Sequence, residues 1–154
     1  MIGNDIVDLS QAEHDSNWKR PGFLSKLFTI EEQFLISSNI QPASMVWLLW
    51  SMKESAYKIE SRNSKLREFA PVKLSCNNLI IHENTATGNV TYNDQLYFTS
   101  SIIEKTYIHT IAAITVNELN SITVQILEST NHQMRINNPD SVSHHGNFLA
   151  FAYA

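Results

Sequence analysis

Two carboxylates and a lysine, on separate stretches of the chain, are of the residue types that handle a phosphorylated substrate. Asp5 lies in the apolar stretch of residues 2–9, whereas Glu54 and Lys58 are four residues apart further along the chain. Carboxylate oxygens are hard ligands that suit Mg²⁺, and a lysine ammonium balances phosphate charge. Phosphoryl transfer depends mainly on such positioning and neutralisation of charge. The residue types therefore favour a magnesium-dependent phosphoryl-transfer site.

A third stretch of interest precedes the C-terminal apolar segment. Residues 141–146 read Ser-Val-Ser-His-His-Gly, which predicts a serine-rich turn whose N–H groups and imidazoles hold phosphate. Paired histidines also suggest zinc, but no cysteine or His/Glu set stands at zinc-ligand spacing, so we do not expect zinc.

Each stretch also has an ordinary structural interpretation, which the residues alone leave open. Asp5 and Asp8 could lie at a solvent-exposed strand end. Glu54 and Lys58 could form a helix salt bridge that contributes about 0.3–0.5 kcal/mol. A charge in an apolar strand, however, costs free energy unless it is paired or metal-bound. Two tryptophans also lie one to two helical turns before Glu54, which disfavours a fully solvated carboxylate there.

The N-terminal third carries the signals of one strand and short helices. Residues 2–9 predict a first strand, and residues 10–18 are polar and irregular. Thr29 stands three residues before Glu32, which is the spacing of a capping box, and this predicts a helix over residues 30–37.

The most strongly periodic segment predicts a long helix over residues 43–62. Pro42 suits its first turn, where the missing N–H costs nothing. One face of this helix is mostly apolar and follows helical spacing; it comprises Val46, Leu49, Trp50, Lys53 and Tyr57.

Beyond residue 71 the pattern changes to strands. We expect strands over residues 72–75, 79–82, 95–99, 107–116 and 148–153, a strand or mixed segment over 121–127, a turn at 88–89, and a polar loop over 131–140. Helices followed by strands predict an α+β class, with the long helix packed on a mostly antiparallel sheet. We expect one domain over residues 1–154.

Composition narrows the class of protein further. The net charge of −4 argues against a general nucleic-acid binder. Cys76 is the single cysteine, so no internal disulfide can form and a reducing cytoplasm is expected. Neither a signal peptide nor a membrane-spanning run is visible, so we expect no membrane partner.

Four motifs resemble those of the 4′-phosphopantetheinyl transferase superfamily. Residues 3–8 resemble its Gly-x-Asp-Ile-Val-Glu motif, with Asn4 in place of a commoner small or apolar residue. Residues 50–58 resemble its Trp-x-x-Lys-Glu-Ala-x-x-Lys motif. Residues 28–32 are similar to its hydrophobic-Thr/Ser-x-x-Glu element, and residues 141–144 resemble its Ser-hydrophobic-Ser/Thr-His turn.

The resemblance implies a fold and a reaction. By resemblance, the chain has the 4′-phosphopantetheinyl transferase-like fold. It would use Mg²⁺ to transfer the phosphopantetheine arm of coenzyme A to a serine of an apo acyl or peptidyl carrier protein, releasing 3′,5′-ADP. A non-catalytic relative that binds a carrier protein or coenzyme A is the alternative, and a structural domain with coincidental motifs is a third.

Roles for the central residues also follow from the resemblance. Asp5 and Glu54 would be the magnesium ligands. Lys58 would bind the phosphates and help to activate the serine. Glu54, or a metal-bound water beside it, would be the base. Lys53 would either reach the nucleotide or pair locally. Asp8 would support the metal ligands without binding the ion itself.

The remaining implications concern binding and assembly. Ser143 and His144 would bind coenzyme A, with His144 on the 3′-phosphate. Lys19, Arg20 and Lys26 are candidates for carrier docking by position and charge. The motif order and chain length resemble the short, holo-acyl-carrier-protein-synthase type, which implies a homotrimer with His144 facing the site of a neighbouring subunit.

Overall fold

The computed structural model of the chain describes residues 1–65, 67–128 and 138–154, so most of the expected polar loop over 131–140 lies outside the described residues. In the described part, the α-helices are α1 (Leu9–Asp15), α2 (Phe23–Leu27), α3 (Ile30–Ser38), α4 (Pro42–Ser64) and α5 (Val116–Ser121). The strands are β1 (Ile2–Asp8), β2 (Ser75–His82), β3 (Thr85–Tyr92), β4 (Gln95–Ile103), β5 (Tyr107–Ala113), β6 (Thr123–Glu128), β7 (Ser141–His145) and β8 (Phe148–Tyr153).

The strands form two antiparallel sheets, and the long helix covers the larger one. That sheet has the order β1-β5-β4-β3-β2, and the smaller has the order β6-β8-β7. Helix α4 packs mainly against β1 and β5, while β7 and β8 lie against β1. The expected α+β class, with a long helix on a mostly antiparallel sheet, is confirmed. Strand β1 is thus the element where helix, large sheet and small sheet meet.

Helix α4 forms because its start signal and its apolar face agree. Pro42 occupies the first turn, and the buried face comprises Val46, Leu49, Met52, Ala56 and Ile59. Burying each large apolar side chain contributes roughly 1.5–3 kcal/mol. Helix α3 begins with the predicted capping box between Thr29 and Glu32.

The backbones of α4 and β1 approach each other closely at Gly3. A Cβ atom at this position would lie 2.0 Å from the carbonyl oxygen of Ser55, well inside van der Waals contact. Only glycine therefore allows this packing distance.

Two of the N-terminal and central expectations were wrong. Residues 10–15 are helical rather than irregular, because the Asp8 side chain accepts the N–H of Gln11 and caps α1, whereas residues 16–18 lie outside regular structure as expected. The turn expected at residues 88–89 lies inside β3. A Cβ atom added at Gly88 would lie 2.9 Å from the Met52 side chain. The glycine serves a close contact rather than a turn.

Three further segments differ from expectation. Residues 71–73 form a 3₁₀ turn before β2 rather than a strand. Strand β5 ends at Ala113, because Thr115 caps α5 by accepting the N–H of Glu118. The predicted serine-rich turn over 141–146 is mostly strand β7, and the chain reverses only after His145. Among the helices described here, none combines the length and apolar character needed to cross a membrane.

Candidate active site

Side chains of β7 accept hydrogen bonds from backbone N–H groups on the outer edge of β1, in an arrangement that we call the side-chain ladder. Three backbone N–H groups of β1 donate to three β7 side chains, as Asn4 to Ser141 Oγ (3.0 Å), Ile6 to Ser143 Oγ (3.0 Å) and Asp8 to His145 Nδ1 (2.9 Å). The offset is 137 residues in every pair, so both strands advance in the same direction along the ladder. The two-residue spacing matches the side-chain period of a strand.

The carboxylate of Asp5 is buried within this framework, and its two oxygens have different surroundings. Oδ1 accepts a hydrogen bond from the Ser143 hydroxyl at 3.1 Å and lies 3.6 Å from the Lys58 ammonium. Oδ2 is buried and has no hydrogen-bond partner among the described residues. Burial raises the pKa of Asp5, and Lys58 and Ser143 partly offset that effect. An unpartnered buried oxygen costs free energy, and a bound cation would supply its missing contact.

Lys58 links β1, β7 and the carboxylate. Its ammonium donates to the carbonyl oxygen of Asn4 at 2.6 Å and to that of Val142 at 3.5 Å. In the described part of the chain its ion pair is with Asp5, not with Glu54 as the helix spacing alone would suggest. The positive charge is therefore fixed beside the carboxylate of β1.

Glu54 is half-buried and carries a perturbed carboxyl group. Burial, followed by the nearby negative charge of Asp5, raises the pKa of Glu54 to about 7, against the opposing effect of Lys58. The charge of Asp5 thus acts on Glu54, and both carboxyl groups line the same cavity. Convergence of Asp5 and Glu54, one from a strand and one from a helix, is what a two-carboxylate magnesium site needs.

One cavity of about 420 Å³ brings together most of the predicted site residues, namely Asp5, Glu54, Lys58, Ser143 and His144. Its remaining wall is largely apolar and aromatic, and includes Ile6, Val7, Ala12, Trp47 and Trp50. A single chain supplies all of these residues. Within one chain, β7 places His144 at the same cavity as Asp5, which favours a site inside the subunit; the expected contact with a neighbouring subunit stays a prediction.

Lys53 lies outside this cavity. Its side chain is fully buried and forms an ion pair with Glu32 at 2.6 Å. The ammonium also donates to the carbonyl oxygens of Leu27 and Pro71, both at 2.9 Å. Consecutive helical residues point about 100° apart, so Lys53 and Glu54 face different surroundings. Of the two roles expected for Lys53, the structure shows local pairing rather than contact with a nucleotide.

The two candidate residues of the serine-histidine stretch have different surroundings. Ser143 is buried, and its hydroxyl both accepts the Ile6 N–H and donates to Asp5. That hydroxyl is thus engaged within the protein instead of facing a phosphate. His144 is exposed on the opposite face of β7 and lines the cavity, where it can contact a phosphate.

Asp8 has a structural role behind the site. One carboxylate oxygen accepts the N–H of Gln11 at 3.1 Å, and the other accepts the N–H of Asn147 at 2.9 Å. The residue therefore joins the start of α1 to the turn between β7 and β8. Both oxygens are engaged by backbone donors, which suits a supporting residue rather than a metal ligand.

A buried polar network, which the sequence interpretation missed, connects the two sheets. The Asn4 amide donates to the carbonyl of Ala150 at 3.3 Å and accepts the Ser141 hydroxyl at 3.0 Å. The Arg62 guanidinium donates to Ser141 at 3.3 Å, and Asn4 also lies 3.4 Å from the His109 ring. This network accounts for asparagine in the first motif. The Ser-x-Ser-x-His spacing of two was the available signal, since it is a strand period.

The described residues can be tested against a bound magnesium ion. They contain no group of three or more His, Cys, Asp and Glu side chains arranged to hold a metal. The pair Asp5 and Glu54 supplies two hard ligands, which is sufficient when substrate phosphates and waters complete the shell. The unpartnered Oδ2 of Asp5 and the raised pKa of Glu54 fit a cation at this position.

Comparison with known proteins agrees with this geometry. No curated protein matches the chain. The family model of the 4′-phosphopantetheinyl transferase superfamily matches residues 1–112 of the 154 residues. The match includes β1 and α4, which carry the two carboxylates and Lys58, and it ends before β7. Because it covers more than half of the sequence, the chain belongs to the 4′-phosphopantetheinyl transferase superfamily.

Proposed function

We propose that the chain transfers the 4′-phosphopantetheine group of coenzyme A to a serine of an apo acyl or peptidyl carrier protein, releasing 3′,5′-ADP in a Mg²⁺-dependent reaction. Family membership supports phosphopantetheine transfer in general. The observation that carries the proposal is the buried, unpartnered Oδ2 of Asp5 in a cavity shared with Glu54 and Lys58.

The charged residues have distinct roles in this reaction. Asp5 and Glu54 would hold Mg²⁺, which when bound supplies charge neutralisation at the diphosphate of coenzyme A. Lys58 is held against β1 and presents a fixed positive charge to the same diphosphate. Glu54 lines the cavity and would accept the proton of the carrier serine.

The bond changes follow from these positions. The serine oxygen of the carrier attacks the β-phosphorus of coenzyme A and forms a new P–O bond. The bond from that phosphorus to the bridging oxygen breaks, and 3′,5′-ADP leaves with the electron pair. The serine proton passes to Glu54. His144, exposed beside the cavity, would contact the 3′-phosphate.

A second cavity indicates the side from which the carrier protein would approach. Its volume is about 910 Å³, and it shares Ser16 and Trp47 with the cavity that contains Asp5. Lys19 lines it, and Arg20 and Lys26 are exposed nearby along the chain. Glu13, Glu83 and Glu104 also line this cavity, so we propose that the carrier docks on the exposed Lys19, Arg20 and Lys26 rather than on the cavity as a whole, because basic side chains suit an acidic partner.

The direct test is incubation of the protein with coenzyme A, Mg²⁺ and a panel of apo carrier proteins, followed by mass spectrometry of the carriers. The proposal expects a mass gain of one phosphopantetheine group on at least one carrier, lost in Asp5→Asn. Binding of coenzyme A or carrier without any mass gain would instead identify a non-catalytic relative.

The short, holo-acyl-carrier-protein-synthase type and its homotrimeric assembly are part of the proposal, on the grounds of motif order and chain length. Light scattering tests the assembly. A trimer of this chain would carry three sites, each with its own His144, because one chain contributes both β1 and β7 to the cavity.

A further inference from the structure

We propose that Ser143 is a positioning residue that selects which oxygen of Asp5 is offered to the metal ion. The inference rests on the proposed function, because it assigns Asp5 as a magnesium ligand. It concerns a residue of β7, which lies outside the matched residues 1–112. The alternative for Ser143 is direct contact with a phosphate of the substrate.

The first step is the asymmetry of the carboxylate. Oδ1 receives the Ser143 hydroxyl at 3.1 Å and faces the Lys58 ammonium at 3.6 Å. Oδ2 has no partner in the described part of the chain, although it is buried. With Oδ1 engaged by these two groups, and with the Ser51 hydroxyl donating to the backbone carbonyl of Asp5 at 3.4 Å, Oδ2 is the oxygen left available to a cation.

The second step is the orientation of the hydroxyl itself. Ser143 Oγ accepts the backbone N–H of Ile6 at 3.0 Å. A serine hydroxyl has one hydrogen to donate, and here that hydrogen goes to Asp5. Because the accepted N–H belongs to the residue that follows Asp5, Ser143 ties the carboxylate to the backbone of its own strand. A phosphate could engage this hydroxyl only by breaking one of these two contacts.

The third step is the fixed place of Ser143 in the fold. Its Cα pairs with Ala150 of β8, and its side chain is buried. Lys58, the other partner of Oδ1, has a side chain that is 26% exposed and sits on a long flexible stem. Of the two partners, the short serine is the one able to set an angle. Residues that orient metal ligands in this way typically change metal affinity about 10- to 100-fold when mutated.

The ladder contains a matched control for this role. Ser141 is also buried in β7 and also accepts a β1 N–H, from Asn4 at 3.0 Å. Its hydroxyl donates to the Asn4 side chain and not to a carboxylate. Ser141→Ala therefore removes the same kind of ladder contact, two residues away, without touching Asp5.

The experiment measures metal binding directly. Mn²⁺ is titrated into full-length protein saturated with coenzyme A, and the free ion is followed by electron paramagnetic resonance. Melting temperatures of all variants are recorded in parallel. Ser143→Ala is expected to weaken Mn²⁺ binding at least about 10-fold, Ser143→Thr to retain most of the affinity, and Ser141→Ala to change it less than about 3-fold. Ser143→Cys, similar in size with a weak donor, replaces the alanine variant if that does not fold.

Three results would overturn the inference. The first is wild-type Mn²⁺ affinity in Ser143→Ala, and the second is an equal loss in Ser141→Ala, which would make the effect one of general stability. The third is weakened binding of coenzyme A with unchanged Mn²⁺ affinity, which would return Ser143 to the phosphate. If the metal shift occurs but wild-type protein modifies no carrier, the proposed function fails while the role of Ser143 stands.

Discussion

The ammonium of Lys58 lies 3.6 Å from Oδ1 of Asp5, although Glu54 is one turn away on the same helix. The pair joins α4 to β1, and the Asn4 carbonyl at 2.6 Å reinforces it. The helix spacing of Glu54 and Lys58 therefore does not define an isolated surface salt bridge. It brings a carboxyl group and an ammonium group to the same cavity, and the ammonium group is directed toward Asp5 of β1.

This geometry predicts that Lys58→Ala lowers the transfer rate by about 10²–10³-fold, because it removes a fixed positive charge from the diphosphate. Initial rates at saturating coenzyme A and carrier measure the effect. Lys58→Arg should recover only part of the rate, since a planar fork replaces a compact charge. Wild-type kinetics in Lys58→Ala would mean that the lysine only supports the strand contacts.

Asp5→Asn and Glu54→Gln should each abolish Mg²⁺ binding and transfer while the fold is retained. Asparagine keeps the shape of the side chain and can still accept from Ser143, so the ladder should remain intact. Burial raises the pKa of Asp5, which means that its charge destabilises the metal-free fold; the neutral variant should melt no lower than wild type in chelator. Calorimetric titration of Mg²⁺ and circular dichroism test the two parts separately, and full activity in either variant would contradict the metal assignment.

The stability of the metal-free protein should fall as pH rises from about 4.5 to about 7. The folded chain keeps the proton of Glu54 up to a pKa of about 7, whereas the unfolded chain releases it near the ordinary value of 4.5. In this window the folded state binds more protons, so the free energy of unfolding decreases with pH. Thermal melts in chelator measure the slope, and Mg²⁺ should bind more tightly above the window because it competes with the proton.

The control for the pH experiment is Glu54→Gln, which should show a shallower decline over the same range. His109 acts in the opposite direction, because burial lowers its pKa from 6.5 to about 4. Its folded form binds fewer protons in that interval, so it makes stability rise with pH. The difference between wild type and Glu54→Gln cancels the histidine and isolates the carboxyl. Superimposable pH curves for the two proteins would contradict the prediction.

Lys53→Met should destabilise the fold by about 3–5 kcal/mol, because it leaves the carboxylate of Glu32 buried without its partner. Chemical denaturation measures the loss. Lys53→Met combined with Glu32→Gln should regain part of the stability, since the buried charge is then removed. The folded fraction should still catalyse transfer. If folded Lys53→Met protein is inactive, Lys53 contacts the nucleotide after all.

Mixing Glu54→Ala chains with His144→Ala chains should restore no activity after subunits exchange. The cavity takes both residues from one chain, so neither parent nor a mixed oligomer contains an intact pair. Each variant is assayed alone for comparison, and light scattering reports whether exchange can occur. Recovery of activity in the mixture would place His144 in the site of a neighbouring subunit.

The sequence identified residues of the cavity better than it identified the partners of buried charges. Asp5 and Glu54 stood out because charges are rare on apolar elements, and both lie in the cavity. Lys53 belonged to the apolar face of the long helix, which already indicated burial. Its partner Glu32 could not be read from spacing, since the two lie on different helices that tertiary packing brings together.

For strand β7, the sequence predicted the wrong local structure. Serine and histidine residues near a glycine predicted a turn, because these residues favour turns when local preference alone decides. In the fold, their small polar side chains satisfy the outer edge of β1. Long-range pairing thus overrides local preference. The N–H donors belong to β1, which is distant in sequence, so a rule based on neighbouring residues could not predict this pairing.

The contact at Gly3 has a consequence for the two proposed metal ligands. This residue precedes Asp5 by two positions, and the carbonyl that it faces belongs to Ser55, the neighbour of Glu54. The absence of a side chain at position 3 thus helps to set the distance between the two carboxylates. A methyl group there would push β1, which bears Asp5, away from α4, which bears Glu54, so a residue with no functional group controls the separation of the two proposed metal ligands.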